Sequence, residues 1–275
     1  MSSVIHPHAG IDYHRPGGRA SAGLAAAAIL LAGGALVAVY RQEAWEYPIM
    51  LAVNAYARHS VALDRLMHAL TARDLLQGVP FVGLIWFLWF ESEAPSRRIT
   101  LLIGMVAASS AGIISRTMQL TLPTHWRPLH EPALGLVPPF GVDPESLNHF
   151  SSFPSDHGAV FFTLCAAICQ IRPRLGVAAF VWAAVVDLAR VYEGYHFPSD
   201  VVGSIGVGLV VLTVFQVARG WPLVARIVAS AQSRPAWFYM FAFIVTVQIA
   251  TLFDDLREIG RGVAKLLLHH DMFVG

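Results

Sequence analysis

The sequence predicts an all-α protein, a polytopic bundle of membrane-spanning helices, and three observations carry that prediction. Of its 275 residues, 56% are hydrophobic and 13% are charged, against about 25% charged in soluble domains. The hydrophobic residues gather into seven long stretches, at 22–40, 75–90, 99–119, 156–171, 175–192, 201–218 and 236–253. Arginines collect in short connections between alternate stretches, as the positive-inside rule expects of a multi-pass protein. Most stretches approach the length, about 17 to 25 residues, that carries a helix across the hydrocarbon layer. Lipid offers no partner to free backbone groups, so each span must be helical.

Taken in order, residues 1–21 read as a polar tail with His6, His8, His14, Arg15 and Arg19. The apolar run that follows lacks a small-residue cleavage site, so it reads as an anchor and not as a removed signal. Residues 44–73 mix Trp, Tyr, Leu and Met with spaced charges, the pattern of one or two amphipathic helices at the headgroup level. The second and fourth stretches are short and must borrow flanking residues or tilt. Residues 22–220 then form the membrane core, and 221–275 add a seventh span and an amphipathic helix. In that last helix, over 254–270, Leu256, Ile259, Val263 and Leu267 share one face.

The arginine pattern orients the chain. With the N-terminus inside the cell, the inner connections hold Arg15 and Arg19, Arg97 and Arg98, Arg172 and Arg174, and Arg219, Arg226 and Arg234. The outer side then holds 41–74, the long loop 120–153 and the short loop 193–199. Arg41, Arg58, Arg65 and Arg73 run against this orientation, as do Arg257, Arg261 and Lys265. A net charge of +1 provides no basic face for nucleic acid. Cys165 and Cys169 lie four apart in an apolar run, which suits two small core residues better than a metal site.

Three polar clusters fall on the predicted outer side, and juxtamembrane charges in so apolar a chain are functional candidates. The first, "SRTMQLTLPTHWRPLH" (115–130), holds Arg116, His125 and Arg127. The second, "SSFPSDHG" (151–158), puts Pro154, Ser155, Asp156 and His157 at the start of the fourth span. Pro154 suits a first helical turn, with Ser152 or Phe153 as the cap, and the open N–H groups of a helix start suit an anion. The third, "RVYEGYHFPSD" (190–200), holds Arg190, His196 and Asp200. Each cluster alone also reads as an interfacial turn or a lipid-headgroup anchor. Together they bring two histidines, a carboxylate and three arginines to one place. Arginine forks bind phosphate bidentately. A histidine nucleophile needs its second ring nitrogen held, which Asp200 can do for His196. His157, from another helix, can protonate the leaving oxygen.

At this point the sequence resembles the type 2 phosphatidic acid phosphatase (PAP2) superfamily, in its lipid phosphatase branch. The family pattern is Lys-x6-Arg-Pro, then Pro-Ser-Gly-His, then Ser-Arg-x5-His-x3-Asp. The third motif matches from Arg190 through His196 to Asp200, with Ala189 in place of serine. The second is Pro154-Ser155-Asp156-His157, with aspartate for glycine, and the first keeps Arg127-Pro128 but has Leu120 for lysine. The likeness covers about residues 75–220.

The resemblance implies a six-helix core, no metal or other cofactor, and a site on the outer face of a bacterial inner membrane. It implies His196 as nucleophile, Asp200 as its orienter and His157 as general acid. Arg127, Arg190, Ser155 and the backbone at Asp156 would hold the phosphate. Arg116, one turn before Leu120, is the expected substitute for the lysine, with His125 a weaker candidate. The Asp156 carboxylate is expected to turn away from the phosphate, towards an arginine.

The implied activity is hydrolysis of a lipid phosphate, a polyprenyl (di)phosphate or a phosphatidate-type lipid, with membrane lipids as surroundings and no obligate protein partner. Transfer to a sugar or lipid hydroxyl shares the same first half-reaction. A silent transporter or scaffold is favoured by the two motif changes and opposed by the joint presence of His157, Arg190, His196 and Asp200. A haloperoxidase site is built alike, but the seven spans argue against it.

Overall fold

Prolines mark where most of the helices begin. The computed structural model describes residues 18–40, 45–148, 150–254 and 259. Its α-helices are α1 (Gly18–Tyr40), α2 (Glu46–Asn54), α3 (Val61–Ala72), α4 (Val79–Glu91), α5 (Pro95–Thr121), α6 (Asp156–Cys169), α7 (Pro173–Tyr192), α8 (Pro198–Phe215), α9 (Pro222–Ser233) and α10 (Pro235–Ala250). Pro95, Pro173, Pro198, Pro222 and Pro235 each open their helix, where the missing N–H costs nothing and the fixed φ is already helical. No strand occurs among the described residues.

Each of the seven predicted spans falls on a helix. Pro95–Thr121, Pro173–Tyr192 and Pro198–Gly220 are long and apolar enough to cross a membrane, and Ala26–Tyr40, Val79–Glu91, Asp156–Cys169 and Pro235–Ala250 are shorter apolar helices. The protein is an integral membrane protein. Its outward faces are apolar, with Leu30, Ile113, Val181, Val214 and Phe243 all exposed, as a lipid-facing surface requires.

α6 is the centre of the bundle and packs against α4, α5, α7 and α8. Small residues allow this. A Cβ on Gly104 would come within 2.5 Å of the Ala167 Cβ, which brings α5 and α6 close. A Cβ on Gly206 would come within 2.4 Å of the Ala32 nitrogen, so α1 and α8 approach almost backbone to backbone. Close contact of this kind is what holds helices together where lipid removes the hydrophobic incentive.

Over residues 45–73 the chain forms two helices, α2 and α3. Both are tied to the end of the bundle that carries the motifs. Glu46 of α2 is buried and accepts from the Ser199 N–H at 2.7 Å and the Ser199 hydroxyl at 2.8 Å, so it caps the start of α8. Asp64 of α3 is fully buried and accepts from the Arg58 N–H, the Phe140 N–H and the Tyr192 hydroxyl.

Two expectations need correcting or limiting. The connection after the sixth span, expected as a short charge-rich segment, holds a helix: α9 lies there and packs on α5, burying Val224, Val228 and Ala231. These sit four and three residues apart, so they share a face. The amphipathic helix expected over 254–270, like the tail 1–17, lies almost wholly outside the described residues.

Candidate active site

Four chain ends meet at one end of the bundle: the C-terminal ends of α5 and α7 and the N-terminal ends of α6 and α8. The two FPSD tetrads start α6 and α8, but in different registers. α6 begins at Asp156 with Ser155 as its cap, and the Ser155 hydroxyl accepts from the Gly158 N–H at 3.1 Å. Pro154 therefore precedes the cap, and neither Ser152 nor Phe153 occupies it, contrary to the sequence expectation. The serine hydroxyl reaches the free N–H two or three residues on, as capping requires, and neither of those residues is so placed. In α8 the cap is Phe197, Pro198 is the first helical residue, and Asp200 reaches back to accept from the Phe197 N–H at 2.7 Å. The two copies touch, with the Ser155 N–H donating to the Asp200 carbonyl at 3.3 Å.

His196 follows a tight turn whose Gly194 has φ +77°, a conformation glycine adopts without penalty. The ring is fully buried. Its Nδ1 lies 3.0 Å from the Ser152 carbonyl and 3.5 Å from Asp200 Oδ2. A carbonyl only accepts, so Nδ1 carries the hydrogen and Nε2 the lone pair. Nε2 is buried and has no hydrogen-bond partner among the described residues. Burial, then the Arg127 and Arg190 charges, hold this histidine well below its usual pKa, against the opposing pull of Asp156. It is neutral at physiological pH.

Arg127 is 3% exposed and braces this turn. Its Nε donates to the Phe150 carbonyl at 3.2 Å, and its two terminal nitrogens donate to the Tyr195 carbonyl at 2.7 Å and the Ser151 carbonyl at 3.2 Å. Burial lowers its pKa to about 10, with Arg190 and Arg116 acting in the same direction and Asp156 and Asp200 against it. Arg190, at the end of α7, is buried, with no hydrogen-bond partner for its Nε among the described residues and its guanidinium 5.6 Å from the Tyr195 ring.

His157 stands in the first turn of α6. Its Nδ1 lies 2.9 Å from Asp156 Oδ1, and its ring meets Phe161 edge-on at 6.1 Å. The same Asp156 oxygen accepts the His157 backbone N–H at 3.0 Å. The adjacent histidine is a partner for Asp156 that the sequence reading did not assign. Ser155, expected to bind phosphate, also donates its hydroxyl to Asp187 Oδ1 at 3.2 Å.

At the lysine position, Leu120 is 66% exposed. Arg116, one turn earlier, lies 4.3 Å from the Phe150 ring and donates to Gln119 Oε1 at 2.8 Å. Gln119 in turn donates to the Pro154 carbonyl at 2.7 Å, so this arm connects to the second motif. His125, the weaker candidate for the missing cation, is engaged within the protein. Its Nδ1 meets the Ser152 hydroxyl at 2.6 Å, and burial depresses its pKa to about 4, leaving it neutral.

Sequence reasoning missed Asp187 and Glu46. Asp187 is an acid in an otherwise apolar span, one turn before Arg190, and that signal alone made it a candidate. Nothing local in the sequence connects Glu46 to Ser199, which lie 153 residues apart.

Fold and site together define a multi-pass membrane protein with a polar, arginine-rich centre built on helix termini. More particularly, residues 99–222 match the model of the PAP2 superfamily. The chain is similar to YbjG of Escherichia coli (strain K12), provisionally named an undecaprenyl-diphosphatase, at 33% identity over 142 residues, covering 50% of this chain and 65% of that protein. Undecaprenyl-diphosphatase BcrC of Bacillus subtilis (strain 168) is 22% identical over 169 residues, covering 62% of this chain and 81% of that protein. A lipid A 1-phosphatase of Rhizobium johnstonii is 29% identical over 133 residues, covering 44% and 52%. Among solved structures, a PAP2-type phosphatidylglycerolphosphate phosphatase from Bacillus subtilis aligns over 71% of this chain and 94% of its own, at 19% identity and a TM-score of 0.47.

Proposed function

We propose that the protein is a membrane phosphatase that hydrolyses a lipid phosphate through a phosphohistidine on His196. The observation that carries this reading is the buried Nε2 of a neutral His196, without a hydrogen-bond partner among the described residues and with Arg127, Arg190 and His157 around it. In the first step Nε2 attacks phosphorus, the P–N bond forms, and the P–O bond to the lipid breaks. His157 gives its proton to the leaving oxygen. In the second step water attacks phosphorus, returns a proton to His157, and the P–N bond breaks to release phosphate. The arginines and the N–H groups at the start of α6 stabilise the charge on the non-bridging oxygens. Asp200 assists the Ser152 carbonyl in holding the His196 ring. The site lies on the outer face of a bacterial inner membrane, and the substrate is a polyprenyl (di)phosphate, the kind that the names of two relatives print, or a phosphatidate-type lipid. His157 retains 15% exposure while His196 has none, so the phosphate enters from the His157 side.

The test uses purified protein in detergent with phosphatidate, polyprenyl phosphate and polyprenyl diphosphate, all in the presence of a chelator. Phosphate release should survive the chelator and disappear in His196→Ala. Equal release from the two proteins would sink the assignment, and appearance of phosphate on an added sugar or lipid hydroxyl would favour transfer. Arg116→Ala should lower kcat/KM about tenfold if Arg116 takes the place of the missing lysine. Unchanged turnover in that variant shows that it does not.

A further inference from the structure

We infer that Asp156, the residue standing where the PAP2 pattern has glycine, is a positioning residue that holds His157 for proton donation to the leaving oxygen. The inference rests on the hydrolase reading above and deepens it. Three observations support it. Asp156 Oδ1 is 2.9 Å from His157 Nδ1, within the range of a charge-assisted hydrogen bond. The pair is shielded, with side-chain exposures of 15% for His157 and 10% for Asp156, so the bond is little weakened by water. The carboxylate is itself fixed, because the same oxygen accepts the His157 N–H at 3.0 Å at the first turn of α6.

The consequence is geometric. With Nδ1–H donated to Asp156, the proton that the ring can give up sits on Nε2. Phe161, one turn along α6, limits the ring's tilt from its other side. His196 is tied through Nδ1 as well, by the Ser152 carbonyl at 3.0 Å and Asp200 at 3.5 Å. The two histidines thus each anchor Nδ1 in protein and present Nε2, one to attack phosphorus and the other to protonate the departing oxygen. A carboxylate beside an incoming phosphate is repulsive unless it serves such a purpose. Here its charge is engaged by the histidine, and Arg127 is near enough to feel it.

The role separates from a merely structural one by its dependence on the leaving group. An alkoxide must be protonated as it departs, whereas p-nitrophenolate need not be. Asp156→Asn and Asp156→Gly are compared with the unaltered protein on dioctanoyl phosphatidate and on p-nitrophenyl phosphate. The expected result is a loss in kcat on the phosphatidate of about 30-fold or more, at least tenfold larger than the loss on the aryl ester, with Asp156→Glu recovering part of it. Turnover of the aryl ester in the same samples reports that the variants are folded. Equal losses on both substrates overturn the inference, as does a fall in KM at constant kcat, which would mean that the carboxylate only competes with phosphate. Polyprenyl diphosphate takes the place of the phosphatidate in the comparison if only it is turned over, and absence of release from all three substrates by the unaltered protein overturns the hydrolase reading and this inference with it.

Discussion

His196→Ala should lower phosphate release by about 10^4-fold or more, because it removes the atom on which the intermediate forms. The fold should survive. Among the described residues the ring makes one hydrogen bond, to the Ser152 carbonyl at 3.0 Å, and leaving one buried acceptor unpaired costs about 1–3 kcal/mol. Thermal unfolding in detergent should therefore change modestly while activity collapses. A variant that retains even a tenth of the activity would place the chemistry on another residue. Because burial and the Arg127 and Arg190 charges keep His196 neutral, the native protein should keep the proposed nucleophile through mildly acidic pH, where an ordinary histidine is largely protonated.

Arg127→Ala should damage both stability and turnover. The guanidinium ties the Phe150 and Ser151 carbonyls, on one side of the site, to the Tyr195 carbonyl on the other. Removing it leaves three acceptors without their donor, at about 1–3 kcal/mol each before relaxation. Tyr195 immediately precedes His196, so the loss also frees the nucleophile to shift, and a fall in kcat/KM of about 100-fold or more is expected. Arg127→Lys should not repair either effect, since an ammonium cannot reproduce a planar fork reaching three carbonyls. Unfolding temperature and kcat/KM of the two variants check this, and full recovery in the lysine variant would show that charge alone matters.

The helical bundle was legible because lipid leaves a chain few alternatives. Apolar runs of spanning length, broken by arginines and opened by prolines, place helices with little ambiguity, and α5, α7 and α8 fall where that pattern puts them. α9 escaped because Val224, Val228 and Ala231 form a short stripe between Arg219, Arg226 and Arg234, and the charges read more strongly than the stripe. In the site, the motif residues could be named from their spacing, but not what each one touches. The start of α6 is read two or three positions out of register, because proline before a cap and proline within the first turn leave the same letters. Arg127 reads as a phosphate ligand, yet much of its fork is engaged with backbone carbonyls, which no side-chain pattern reveals. His125 reads as a cation until its burial is known. Glu46 and Asp187 hold the starts of α8 and α6 through contacts that only the folded chain creates.

The covalent intermediate on His196 is the central claim, and the stereochemical course at phosphorus tests it most directly. A lipid phosphorothioate made chiral with one oxygen isotope is hydrolysed by the native protein in water carrying another. Two successive in-line displacements, first by His196 and then by water, predict retention of configuration in the released thiophosphate. Inversion would mean that water attacks the lipid phosphate in a single step, and would contradict the account.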